Sequence, residues 1–207
     1  MKLAIVGAGE LGKLVAHHAI NDSKFEVVGY YDDFKKESTF NGFPIWGEIN
    51  DAFLHFGSKR FDKIFIAIGY AQMAARELCY KKFKANIPLA NIIHTSSYVD
   101  LSCKIGEGVC ILPGCTLDFE VEVADNVLLN TGVTIAHHTK IGSNTFVAPA
   151  VQMAGLTTVK ENCFIGIGAT IKDGITVGKN SIIGAGAVVI ENTSENSTSI
   201  GVPAKEI

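Results

Sequence analysis

From Ser97 to Asn192 the hydrophobic positions of this chain recur every six residues. Stepping by six from Val99, sixteen consecutive positions ending at Val189 are aliphatic or Met. In a chain that is 47% hydrophobic, chance gives such a run about once in 10⁵ trials. A period of six fits neither an amphipathic helix nor a simple alternating strand. It predicts a hexapeptide β-helix, in which each hexad supplies one short strand and one turn. Two residues before each aliphatic lies a second inward position. It is mostly small or β-branched, as at Cys103, Val109, Cys115, Val133, Thr145, Thr157 and Cys163. Strand alternation points both sets to the interior.

The turn positions, three residues after each aliphatic, sort with a period of eighteen. Asn126, Asn144, Asn162 and Asn180 form one row, and Gly114, Gly132, Ala150, Gly168 and Gly186 a second. Gly and Asn enter φ > 0 turns most readily. Three hexads therefore make one triangular coil, with successive coils about 4.8 Å apart. The third row reads Glu120, His138, Leu156, Gly174, Asn192. One corner has abandoned favourable turn chemistry, and departures from local rules concentrate at functional positions.

Before the repeats the pattern changes to strands alternating with helices. Residues 2–6 read as a buried strand, followed by Gly7-Ala8-Gly9-Glu10-Leu11-Gly12 and a helix to about residue 20. Residues 25–31 form a second strand ending in Asp32-Asp33. A short helix covers 50–56, a third strand 63–68 closes at Gly69, a helix covers 71–83, and 92–93 is a fourth strand. This is a small parallel sheet of the Rossmann-like kind, with ligands expected at the carboxyl ends of its strands. The Gly-x-Gly-x-x-Gly turn admits three readings: a tight strand-to-helix turn, an NAD site with Asp32 on a ribose hydroxyl, or a dock for a nucleotide or nucleotide sugar. A β-helix is a poor source of the acid or base that an NAD enzyme needs. The expected organisation is a Rossmann-like domain over 1–96, a β-helix over 97–192 and a capping tail over 193–207.

The net charge is −3 and no block of Lys or Arg occurs, so neither nucleic acid nor an anionic membrane surface is an expected partner. The five Cys include no CxxC pair and read as buried free thiols in a reducing compartment. With no signal-peptide layout and no long apolar run, a cytoplasmic protein is expected.

The two halves together resemble, over essentially the full length, the bacterial sugar acetyltransferases related to sialic acid O-acetyltransferase and the nucleotide-activated amino-sugar N-acetyltransferases. The matching residues are the turn at 7–12, Asp32-Asp33, Ala67-Ile68-Gly69, Ile93-His94, Asn130-Thr131, the His137 segment and Gly201-Val202-Pro203-Ala204-Lys205. The resemblance implies a left-handed parallel β-helix, a homotrimer, and acetyl-CoA as cosubstrate with no metal. It implies transfer to the amino group of a nucleotide sugar, or alternatively O-acetylation of sialic acid or another sugar hydroxyl. The implied catalytic set is His137 as general base, its neighbour His138, and Gly155. Sugar-nucleotide contacts are implied at Gly9, Glu10, Leu11, Asp32, Asp33 and Gly69, and coenzyme contacts at Phe146, Gly155, Ile167 and Ala185.

Spacing adds to this. Gly155 lies eighteen residues after His137, so the two share the irregular corner one coil apart. A base and a backbone N–H so placed suit direct acyl transfer. Three departures from the family pattern stand out. His138 occupies a usually acidic position, with Glu120 one coil below as a candidate source of the missing charge. Phe146 replaces a coenzyme-contacting His, and Leu11 a polar residue. A zinc hydratase site would need three His ligands, and the repeats contain only His137 and His138. A non-catalytic nucleotide-binding scaffold is the remaining alternative. His18 or His17 should face the first sheet, His55 solvent, and His94 a structural hydrogen bond.

Overall fold

The computed structural model describes residues 1–23 and 25–207. It divides after Ile92, rather than at 96, into units Met1–Ile92 and Ile93–Ile207.

In the first unit β1 (Lys2–Val6), β2 (Glu26–Tyr31) and β5 (Lys63–Ile66) form a parallel sheet in the order β2-β1-β5. As the central strand, β1 buries Leu3 to Val6 completely, which is why it reads as an unbroken apolar run instead of an alternating one. Helix α1 (Glu10–Asn21), helix α2 (Asp51–Gly57) and helix α3 (Met73–Lys84) complete the layers, with a 3₁₀ turn at Tyr70–Gln72 leading into α3. A hairpin of β3 (Thr39–Phe40) and β4 (Phe43–Pro44) turns at Asn41-Gly42, both with positive φ. The fourth strand expected at 92–93 is not part of this sheet. The place beside β5 is taken by Pro88 to Ala90, through Ile64 N–H to the Pro88 carbonyl and Ala90 N–H to the Ile64 carbonyl. Pro88 has no N–H, so the pairing stays a single bridge. Ile92–Ile93 belongs to a β-helix sheet.

The second unit is a left-handed parallel β-helix of hexapeptide repeats. Its strands are two residues long and pair eighteen residues apart, as in Thr116↔Thr134, Glu122↔Lys140 and Leu128↔Phe146. The inward aliphatics and their partners stack into one continuous buried column. Inward threonines satisfy their hydroxyls on backbone, Thr139 and Thr157 both donating to the Ala154 carbonyl at 3.1 and 2.8 Å. Every turn position from Gly108 to Gly186 has positive φ, between 54° and 71°. That includes Glu120, His138 and Leu156, residues for which this conformation costs about 1–2 kcal/mol each. The Asn row forms a hydrogen-bonded ladder: Asn126 Nδ2 to Asn144 Oδ1 at 2.7 Å and Asn144 Nδ2 to Asn162 Oδ1 at 2.9 Å. The segment after Asn192 is more ordered than a polar loop. Asn196 takes the next rung, accepting from Asn180 at 2.9 Å. Thr198–Ile200 then pairs with Ile182–Ile183, and Lys205–Glu206 folds back antiparallel on it. Among the described residues no helix is long and apolar enough to cross a membrane.

Candidate active site

The irregular corner brings His137 and Gly155 into contact. A Cβ built on Gly155 would lie 2.6 Å from Cε1, 2.7 Å from Nε2 and 3.0 Å from Nδ1 of His137. The ring therefore occupies the space that a side chain at position 155 would take, and Gly155 is buried although His137 itself is exposed. The Leu156 N–H donates to the His137 carbonyl at 2.9 Å, tying the two coils together. Among the described residues the Gly155 N–H has no acceptor, so the corner offers a donor beside the imidazole.

Behind His137 runs a line of polar contacts. His137 Nδ1 lies 3.0 Å from His138 Nδ1, with the two rings edge to face. His138 Nε2 lies 3.1 Å from Glu120 Oε2. Phe119 packs edge-on against His138, ring centroids 5.5 Å apart. Glu120 occupies the corner one coil below His138, as the eighteen-residue spacing requires.

The coenzyme positions implied by resemblance are not all brought to this corner. Ile167 and Ala185 follow the Gly row, one coil apart on a different corner, and both are exposed. Phe146 is 5% exposed and packs against Phe164, centroids 6.0 Å apart, so it presents little surface within one chain.

In the first unit the strand ends enclose a cleft of about 410 Å³ lined by Gly7, Gly9, Asp32, Asp33, Gly69 and Lys82, among others, a volume suited to a small-molecule ligand. The Gly-rich turn is tight: a Cβ on Gly12 would overlap the Gly7 carbonyl oxygen, whereas one on Gly9 would meet open space. The first-turn N–H groups of α1 lack a side-chain cap and so remain available to an anion. Asp32 is differently employed from the ribose-binding residue of an NAD site. Its Oδ2 accepts the Ala8 N–H at 2.8 Å, and its Oδ1 accepts Phe34 N–H at 2.9 Å and Lys35 N–H at 3.1 Å. Asp33 accepts the Ile49 N–H at 2.7 Å. Glu10 is exposed and Leu11 half-buried at the start of α1.

Two residues the sequence reading passed over line the same cleft. Phe34 stands at its mouth, 85% exposed. Lys82 donates to Asn50 and reaches Cys79, whose thiol burial pushes up. An aromatic and a lysine immediately around Asp32-Asp33 and α3 carry no motif, so only the fold assembles them. Of the remaining histidines, His18 is the buried one, paired with Asp22 at 3.0 Å. His55 is not on the open surface: its Nδ1 lies 2.9 Å from the Tyr31 hydroxyl, and burial followed by nearby Arg60 lowers its pKa. His94 Nδ1 accepts the Ser96 N–H at 3.0 Å, a local structural bond.

Comparison with known proteins agrees with this architecture. Residues 2–83 match the PglD N-terminal domain, and residues 156–191 match the bacterial transferase hexapeptide (six repeats). A comparison with curated proteins finds no match. Among solved structures the chain is similar to PerB from Caulobacter crescentus in complex with CoA and GDP-perosamine, at 28% identity. That likeness covers 100% of this chain and 97% of the other, with a TM-score of 0.91. The acetyltransferase domain of PglB from Neisseria gonorrhoeae in complex with acetyl coenzyme A is 28% identical, covering 100% and 98% of the two chains, with a TM-score of 0.89. WeeI from Acinetobacter baumannii is 26% identical over 100% of both chains, with a TM-score of 0.83. The chain is thus similar, over its full length, to hexapeptide-repeat sugar acetyltransferases that carry a PglD N-terminal domain, and it is an acyltransferase.

Proposed function

We propose that this protein transfers the acetyl group of acetyl-CoA to the amino group of a nucleotide-activated amino sugar, with His137 as the general base. The observation that carries this is the His137 ring against Gly155, with its Nδ1 engaged by His138. His137 Nε2 takes a proton from the neutral sugar amine as its nitrogen attacks the thioester carbon. The C–N bond forms, the C–S bond breaks, and the proton passes to the departing CoA sulfur. The Gly155 N–H stabilises the oxygen that becomes negative during attack. No acyl-enzyme is needed when both substrates are held together.

The cleft of the first unit is the proposed nucleotide site. The open turn at Gly9 and the N-terminus of α1 suit a diphosphate. Because Asp32 is filled by backbone donors, its role there is to brace the turn, which leaves Glu10, Leu11, Asp33 and Gly69 to meet the ligand. On the β-helix, Ile167 and Ala185 stand on a different corner from His137 and Gly155. A groove containing both sets requires corners from two copies, which supports a homotrimer with coenzyme grooves between neighbouring chains. In such a groove Phe146 would act by shaping the wall.

Thiol release from acetyl-CoA, measured against UDP-, GDP- and dTDP-linked amino sugars with sialic acid included, tests the reading. Turnover on one of the amino sugars is expected, and His137→Ala should lower it by about 10²–10⁴-fold. Failure to turn over any nucleotide amino sugar, or turnover on sialic acid alone, overturns it.

A further inference from the structure

The three polar contacts behind His137 admit one consistent arrangement of hydrogens when that residue is a working base. Glu120, ionised, is an acceptor only. The 3.1 Å contact with His138 Nε2 therefore places a proton on that nitrogen. A neutral His138 then has a bare Nδ1, which can only accept. The 3.0 Å contact between the two Nδ1 atoms requires His137 to donate there, so His137 carries Nδ1–H and its lone pair sits on Nε2. That nitrogen is the nearer of the two ring nitrogens to the Cβ position of Gly155, at 2.7 against 3.0 Å. Tautomers follow here from the network of partners and not from observed hydrogens.

We propose that Glu120 and His138 are positioning residues that hold His137 in its base-competent tautomer, Glu120 acting on His137 only through His138. The proposal rests on the reading of His137 as the base. When His137 takes the substrate proton on Nε2, its Nδ1–H can shift to His138 Nδ1. The positive charge then lies on His138, beside the Glu120 carboxylate, and returns by the same path when the sulfur is protonated. The opposite arrangement is silent. Should His138 bind a proton before the substrate does, its Nδ1–H donates to His137, whose Nε2 then carries hydrogen and cannot accept.

The strain on this corner is consistent with selection for side chains over backbone comfort. Glu120 and His138 both adopt positive φ, at 54° and 59°, where the Gly and Asn of the other two corners are at ease. Other ionisable groups face the same surface. Lys104 and Lys140 reach Glu122 on the adjacent sheet at 3.0 and 3.6 Å and, with Ser102, line a small cavity with Glu120 and His138. Asp118 precedes the corner, accepting the Phe119 N–H, and Asp173 continues the His137 column above Gly155. Glu122 is already held by two lysines, which leaves Glu120 as the carboxylate in contact with His138.

Glu120→Gln tests this with size and turn conformation preserved. The amide can donate as well as accept, so it no longer dictates the tautomer. The expected result is a five- to tenfold lower kcat, about the reach of an exposed charge acting on a general base, with both KM values unchanged. His138→Asp is the second arm. Asp accepts the left-handed turn well and places a carboxylate directly against His137 Nδ1, so in that background Glu120→Gln should no longer lower kcat. If His137→Ala abolishes turnover while Glu120→Gln leaves kcat unchanged, the positioning role is wrong and the base stands. If His137→Ala retains wild-type turnover, both fall.

Discussion

The contact between His137 and Gly155 makes a side chain at position 155 a catalytic question more than a folding one. Gly155 is not among the positive-φ residues, so alanine meets no backbone penalty there. The three atoms nearest its methyl group all belong to the imidazole, at 2.6–3.0 Å. His137 is exposed and can swing away, so Gly155→Ala should melt close to wild type. Displacing a base by about 1 Å costs on the order of 10²-fold in rate, and kcat should fall to that extent. Melting curves beside initial rates check the split, and a large loss of melting temperature would show the corner to be structural. The shared corner of these two residues was legible from their eighteen-residue spacing alone. The Nδ1-to-Nδ1 contact was not, because spacing fixes which column a side chain occupies but not which ring atom meets its neighbour. Nor did spacing reveal that Asp32 is consumed by Ala8, Phe34 and Lys35, since a carboxylate at a strand end reads alike whether it holds ligand or loop.

At the level of elements, the Asn ladder predicts a graded response. Asn144 is 2% exposed, has φ of 59° and bonds to rungs on both sides. Asn144→Ala should cost about 3–4 kcal/mol, from two lost hydrogen bonds near 1 kcal/mol each and a left-handed penalty of about 1–2. Asn144→Gly removes the penalty but not the lost bonds, so it should recover roughly 1 kcal/mol in denaturant unfolding. Equal losses for the two variants would show that turn strain contributes nothing.

The inward cysteines give a pH signature at the same scale. Burial pushes the Cys163 thiol from 9.0 up to about 11. Between those values the folded protein holds a proton that the unfolded chain has released. The contribution is therefore complete below pH 9 and is lost as pH rises toward 11. Melting temperature should fall more steeply across that interval in the wild type than in Cys163→Ala, and parallel slopes would refute the assignment. The repeats were readable because a core and a turn impose separate requirements on fixed hexad positions. The hairpin at 39–44 was marked only by Asn41-Gly42, and its two-residue strands are too short for alternation to register. The strand expected at 92–93 was drawn to the wrong sheet because two apolar residues carry no information about their partner.

For the whole molecule, the separation of the His137 column from the Ile167–Ala185 column carries a prediction about assembly. Sedimentation equilibrium should give three chains. An exposed charge introduced by Ile167→Glu should raise the KM for acetyl-CoA about tenfold or more, since one unpaired charge in an apolar contact costs at least about 1.4 kcal/mol. A fully active monomer would contradict the shared groove. The two-part organisation was legible as a change of period, from strands and helices to hexads. The position of the change was less so, because residues 93–96 have no hydrophobic rhythm of their own.

The eighteen-residue register also governs how this chain can change its length. A corner is defined by position modulo eighteen, so one hexad gained or lost would rotate every later residue by a third of a turn. The Asn rungs, the glycine corner and the catalytic column would then exchange places, although each hexad remained well formed. A full coil inserted beyond Gly155 would restore every face and merely lengthen the stack. Length variation among such chains should therefore be quantised in coils within the core, with odd lengths confined to the ends. The shortened step from Asn180 to Asn196 is such an odd length, and it lies at the last coil.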